Sequence, residues 1–86
     1  MAAKSKQTKR AVSLFFPASV TRKPLMFETA VAYHLLLNIF WARVGKDGGT
    51  ATIEFQGTED DIDRALRSLE KKGVKVEPVT GQVVFE

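Results

Sequence analysis

Four carboxylates stand close together in the second half of the chain: Glu59, Asp60, Asp61 and Asp63. Carboxylate oxygens bind hard cations, so the group could indicate a calcium or magnesium site. Consecutive helical residues point in different directions, however, and the spacing of a calcium-binding loop is absent. Stabilisation of a helix N-terminus, where the helix dipole attracts negative charge, explains the group better than a metal site does.

The chain has one histidine, His34, and no cysteine. Thiolate ligands, disulfides and thiol chemistry are therefore excluded, and one imidazole cannot make a His-rich metal site. No nucleophile stands beside a plausible base and no glycine-rich phosphate loop is present, so the sequence predicts a protein that is not an enzyme. We expect no metal and no cofactor, and we expect His34 on a helix surface or at an interface.

Positive charge is concentrated in the N-terminal part. Six basic residues and no acidic residue precede Glu28, whereas residues 28–86 contain seven basic and ten acidic residues. Residues 1–10 are small, polar and basic, and they predict a disordered arm. Its bases are Lys4, Lys6, Lys9 and Arg10. Such an arm could contact phosphates, dock on a partner or add solubility.

The first half of the chain predicts a strand, a helix and a second strand. Residues 11–16 favour a strand that ends at a proline. Pro24 suits the first turn of a helix, and residues 25–37 contain neither glycine nor proline, so we expect a helix over 25–37. Its apolar belt is wider than one stripe, which indicates that something besides its own sheet covers it. Residues 38–44 are the second strand.

The second half predicts a hairpin, a helix and a last strand. An Asp-Gly-Gly turn leads into residues 50–56, whose alternation places Ala51, Ile53 and Phe55 on one buried face. Thr58 is a good N-cap for a helix that ends near Gly73. Residues 74–79 form the last strand, and residues 83–85 are a possible short extra strand.

This β-α-β-β-α-β order predicts an α+β, ferredoxin-like sandwich, with an antiparallel sheet and two helices on one face. The second strand then lies at a sheet edge, and the other sheet face has no helices over it. We expect the arm over 1–10, the domain over 11–79 and a turn with a short strand over 80–86. No apolar run is long enough to cross a bilayer, so we expect a cytoplasmic protein with no membrane span.

The second strand holds the candidate partner-binding residues. Strict alternation would place Ile39 and Trp41 together on the open sheet face, with Phe40 on the face towards the helices. An exposed tryptophan beside an isoleucine is typical of an interface core, whereas the opposite register would bury Trp41 and turn Arg43 inward. Asn38 could anchor a ligand or partner, or it could end the first helix.

Nucleic acid is not an expected partner, although RNA-binding domains use the same sheet. Base stacking would need aromatics on the open face of the central strands. Phe55 points inward and its neighbour Glu54 points outward, which leaves Phe15 as the one candidate for stacking a base.

Several segments together resemble the NIL domain family, which is named for an Asn-Ile-Leu motif at its second strand. Here Asn38-Ile39-Phe40 stands at that position, after Pro24 at the helix start. The strand over 50–55, the Gly-Thr-Glu-Asp opening of the second helix over 57–60 and the closing segment over 69–77 also match. The resemblance covers about residues 11–79 in the right order.

That resemblance implies an ACT-like, non-catalytic module that senses a small ligand. Family members occur in pairs at the C-termini of methionine-importer ATPases, fused to ferredoxins and as short free-standing proteins, and this chain resembles the last group. The resemblance implies a homodimer or docking on a larger protein, with methionine or a similar apolar amino acid at the interface. The candidate residues are Asn38, Ile39, Phe40, Trp41, Met26 and Tyr33. An adaptor or assembly subunit without a small ligand is the alternative.

Overall fold

Four strands and two α-helices alternate along the chain in the computed structural model, which describes residues 7–20 and 24–79. The elements are β1 (Gln7–Pro17), a short 3₁₀ turn (Ala18–Val20), α1 (Leu25–Ala32), β2 (Leu36–Gly45), β3 (Gly48–Thr58), α2 (Glu59–Lys71) and β4 (Lys75–Pro78). The predicted order is confirmed. The predicted extra strand over 83–85 lies outside the described residues, as do Lys4 and Lys6.

The strands form one sheet in the order β2-β3-β1-β4, and all three pairings are antiparallel. Because β1 and β4 pair although two strands and two helices separate them in sequence, the sheet has the predicted ferredoxin-like topology. Among the described strands, β2 has one neighbour and lies at the edge, also as predicted. Directly paired residues share a sheet face, so the register decides which side chains face the helices.

One face of the sheet packs against both helices and forms the core. Val12 and Leu14 of β1 lie opposite Ile53 and Ala51 of β3, and all four side chains are buried. The helices add five side chains to this core, which are Leu25, Ala30, Ile62, Ala65 and Leu69. The predicted inward set on β3 is confirmed, because Ala51, Ile53 and Phe55 are all buried.

The expected helix over 25–37 is wrong at its C-terminal end, because α1 stops at Ala32. His34 adopts a left-handed conformation with a φ of 59°. The amide of His34 donates to the carbonyl of Val31, and the amide of Leu35 donates to that of Ala30. This pair of hydrogen bonds is a Schellman cap, and it leaves no role for Asn38 in ending the helix. The next residues enter the sheet, where pairing with β3 outweighs their helix propensity.

The strict alternation expected along β2 is also wrong, because the strand contains a β-bulge. Ile39 pairs with Ile53 and Trp41 with Thr52, so Phe40 is an extra residue between consecutive pairs. Ile39 therefore shares the helix-covered face with Ile53, whereas Trp41 lies with Thr52 on the open face. The predicted position of Trp41 on the open face is confirmed, and the predicted position of Ile39 on the same face is wrong.

The arm predicted over 1–10 extends too far, because β1 begins at Gln7 and pairs with Thr58 of β3. Lys9 is an exposed residue within this strand. The guanidinium of Arg10 donates to the carboxylate of Asp63 on α2 at 2.7 Å. This hydrogen bond holds the pKa of Asp63 below its usual value, with further help from the positive charges of Arg10 and Arg67. Arg10 therefore joins the start of β1 to α2.

Candidate ligand and partner surfaces

Four exposed apolar side chains lie on α1 and on the helix-covered face of β2, and we call them the α1–β2 surface. They are Phe27, Val31, Ile39 and Val44, with exposed fractions of 57%, 77%, 37% and 58%. Phe27 and Val31 are four residues apart and lie on one side of α1. Apolar side chains exposed together on neighbouring elements are typical of an interaction surface rather than of a monomer exterior.

The backbone edge of β2 is part of the same region. β2 is ten residues long, and eight of its residues are exposed. Among the described residues β3 is its single strand neighbour, so no described strand pairs with its outer backbone edge. A long, apolar edge strand is a template for pairing with another chain. The edge therefore supplies directional hydrogen bonds beside the apolar contacts of the α1–β2 surface.

An apolar cavity of about 120 Å³ opens beside this surface. Its lining comes from the end of β1, the 3₁₀ turn, the start of α1 and the end of β2, and consists of Phe16, Val20, Pro24, Leu25, Met26, Phe27 and Val44. Two lining residues, Phe27 and Val44, also belong to the α1–β2 surface. For comparison, an apolar cavity of about 150 Å³ holds a benzene-sized group. The cavity can therefore take a small apolar side chain.

A second cavity, of about 230 Å³, lies between the end of α1 and the side of α2. All of its lining residues have polar side chains, and they are Tyr33, Arg64, Arg67, Ser68 and Lys71. We call this lining set the basic cavity. Arg64 also donates to the carboxylate of Asp60 at 2.6 Å, one turn earlier on the same helix.

The candidate residues predicted from the sequence do not form one site. Met26 lines the apolar cavity and Tyr33 lines the basic cavity. Asn38 is exposed and pairs with Glu54, and Trp41 is half exposed next to Thr52, so both lie on the open sheet face. Ile39 is on the opposite face, and Phe40 is half buried at the bulge.

The sequence analysis missed residues in both cavities. Val44 and Phe27 were not distinguished from core residues. An apolar residue near the end of a strand or helix gives the same sequence pattern whether it is buried or exposed. The basic cavity had a readable signal. Arg64, Arg67, Ser68 and Lys71 recur at the spacing of one helix face.

Neither a metal centre nor a spanning helix was found in the described part of the chain. No group of three or more His, Asp or Glu side chains in residues 7–20 and 24–79 is placed to hold a metal ion. No helix in the same ranges is both long and apolar enough to span a membrane. His34, the one histidine, is exposed at the end of α1.

Comparison with known proteins decides which family the fold and the β2 motif represent. The model of the NIL domain matches residues 10–78, which is most of the chain. The chain belongs to the NIL domain family. The NIL assignment confirms the resemblance carried by Asn38-Ile39-Phe40 and the segments around it, and in the structure this motif contains the β-bulge of β2.

A sequence relative agrees with the NIL assignment, and a solved structure has the same fold. The chain is 35% identical over 72 residues, 79% of its length, to the methionine import ATP-binding protein MetN of Symbiobacterium thermophilum. It spans 22% of that relative's length. The C-terminal domain of an ABC transporter ATP-binding protein from Enterococcus faecalis has the same fold, with a TM-score of 0.74 and 21% identity. That match covers 85% of this chain and 86% of the solved one.

Proposed function

We propose that this NIL domain is a non-catalytic, cytoplasmic regulatory module that forms a homodimer and binds an apolar amino acid such as methionine. The observation that carries the proposal is the position of the apolar cavity, whose lining residues Phe27 and Val44 are shared with the α1–β2 surface. A module built in this way can respond to a small ligand at the place where it meets its partner. The similarity to a methionine import protein supports methionine as the first ligand to test.

The exposed edge of β2 supports the homodimer. Two copies of an edge strand can pair antiparallel about a two-fold axis, which joins their sheets and satisfies the outer backbone groups of both. α1 packs against β2, so the same axis brings two α1 helices towards each other. The second copy then buries the exposed apolar area of Val31 and Phe27, which favours association.

The ligand proposal is tested by thermal unfolding with each of the twenty amino acids. A ligand present at ten times its Kd adds about 1.4 kcal/mol to the free energy of unfolding. For a domain of this size, that raises the Tm by roughly 5–10 °C. We expect methionine to raise the Tm and charged amino acids to leave it unchanged. No shift with any amino acid would overturn the ligand proposal.

A pair of variants locates the ligand. Val44→Asp places a charge at the mouth of the apolar cavity at an exposed position, so we expect it to fold and to lose the shift produced by methionine. Phe15→Asp is the matched control, because Phe15 is also an exposed apolar strand residue but lies outside this cavity. A methionine shift that survives Val44→Asp would place the ligand elsewhere.

The second candidate function is an adaptor that docks on a larger protein without a small ligand. Trp41 favours it, because this half-exposed tryptophan faces away from the helix layer and from the apolar cavity. A tagged chain should then recover one complex reproducibly from native extract, and Trp41→Ala should abolish recovery while the Tm changes little. Unchanged recovery with Trp41→Ala would remove the open face from the adaptor proposal.

A further inference from the structure

The basic cavity is separate from the apolar cavity and has no part in the proposed function. Every lining side chain carries a hydrogen-bond donor: two guanidinium groups, one ammonium group and the hydroxyls of Tyr33 and Ser68. No carboxylate lines it. A concave surface that has several hydrogen-bond donors and no negatively charged group is suited to bind an oxyanion.

The helix places the donors along one side of α2. Arg64, Arg67, Ser68 and Lys71 occupy positions i, i+3, i+4 and i+7, which follow one another along a helix face. Tyr33, at the C-cap of α1, completes the lining from the neighbouring helix. Two elements therefore build the cavity, and its donors do not all come from a single solvated helix face.

The charge balance favours a doubly charged anion. Arg64 shares its charge with Asp60 at 2.6 Å, and Asp63, the acid near Arg67, is bonded to Arg10 at 2.7 Å. Among the described residues Arg67 and Lys71 form no ion pair. Two positive charges thus remain for a ligand, which matches the charge of about −2 that a phosphoryl group carries near neutral pH.

The C-terminal end of α2 does not oppose this anion strongly. A helix C-terminus carries partial negative charge on its last carbonyls. Here the carbonyls of Ser68, Leu69 and Glu70 accept hydrogen bonds from the amides of residues 72–74. The cavity also starts at Arg64, near the middle of α2, so its two guanidinium groups come from residues before the last turn.

We propose that the basic cavity binds the phosphoryl group of a small molecule, with Arg67 and Lys71 supplying the charge and Tyr33 and Ser68 donating further hydrogen bonds. Arginine is suited to this role because its planar donors bind two phosphoryl oxygens at once. The bound group lies on the helix layer, beside the end of α1 and away from the apolar cavity at the start of that helix.

The test is a titration of the full chain with potassium phosphate at constant pH and ionic strength, followed by backbone amide NMR shifts. We expect saturable shifts confined to the residues around Tyr33 and along α2 from Arg64 to Lys71. The Arg67→Gln/Lys71→Gln variant should bind phosphate at least about tenfold more weakly, because it loses two charge-assisted contacts. Lys9→Gln/Lys46→Gln, which removes the same charge elsewhere, should bind like the wild type.

A parallel titration with O-phosphoserine identifies the source of the phosphoryl group. Tighter binding than inorganic phosphate indicates a phosphate ester, and equal binding indicates free phosphate; both results support the proposal. The proposal is overturned if potassium chloride produces the same shifts, if no saturation is reached by tens of millimolar phosphate, or if the Arg67→Gln/Lys71→Gln variant binds as well as the control variant. None of these results bears on the homodimer or on the apolar ligand.

Discussion

Ile39 and Trp41 are two residues apart on β2, yet their side chains lie on opposite faces of the sheet. The extra residue Phe40 causes this, because the register changes between the pairs Ile39–Ile53 and Trp41–Thr52. As a result, the edge strand presents apolar side chains on both sides of its outer backbone. A second copy that pairs with this edge would meet Trp41 on one face of the sheet and Ile39 with α1 on the other.

Gly57 allows the end of α1 to pack onto β3. A Cβ atom at this position would collide with a Cδ atom of Leu35, the buried residue that follows the helix cap. We expect Gly57→Ala to lower the free energy of unfolding by about 1–3 kcal/mol, because the core around Leu35 must shift. Gly45→Ala is the control, since a Cβ there meets nothing within 4 Å. Urea unfolding of both variants is the measurement, and equal stabilities would refute the close contact.

Asp63 should make the stability depend on pH. Its folded-state pKa lies below the ordinary value of 3.8, chiefly because Arg10 donates a hydrogen bond to it. A lowered pKa means that the contribution is fully present above the unfolded-state value and is lost as the pH falls through the folded-state value. We expect Asp63→Asn to reduce stability at pH 6 and to converge with the wild type at acid pH.

Thr29 is a buried residue of α1 whose hydroxyl has no hydrogen-bond partner among the described residues. A buried hydroxyl without a partner costs about 1–3 kcal/mol. Thr29→Val keeps the β-branched shape and removes the polar group, so we expect the free energy of unfolding to rise by about 1 kcal/mol. Thr29→Ser, which keeps the hydroxyl and removes a methyl group, should instead be destabilising. A less stable Thr29→Val variant would mean that the hydroxyl is satisfied in solution.

Local signals in the sequence were enough for most of the fold. Thr58 was predicted as the N-cap of α2, and its hydroxyl accepts from the amide of Asp61 at 3.1 Å. The alternation of Ala51, Ile53 and Phe55 gave the buried face of β3, which the structure confirms. These features depend on neighbours within a few residues, so they can be predicted from the local sequence.

The errors concern features that depend on distant residues. α1 ends at Ala32 because His34 can adopt a left-handed conformation and because the following residues pair with β3. The bulge at Phe40 likewise depends on a register that two strands set together. The candidate residues Met26 and Tyr33 stand seven positions apart, but they line different cavities, since each end of α1 meets a different neighbour.

Sedimentation equilibrium of the wild-type chain, from micromolar to millimolar concentration, tests whether the homodimer forms. We predict a reversible monomer–dimer equilibrium for the wild type. Val31→Lys/Val44→Lys, which changes the two most exposed residues of the α1–β2 surface, should remain monomeric, and Phe15→Gln on the open face should dimerise like the wild type. A wild-type chain that stays monomeric throughout, or a lysine variant that dimerises equally well, would contradict the proposed homodimer.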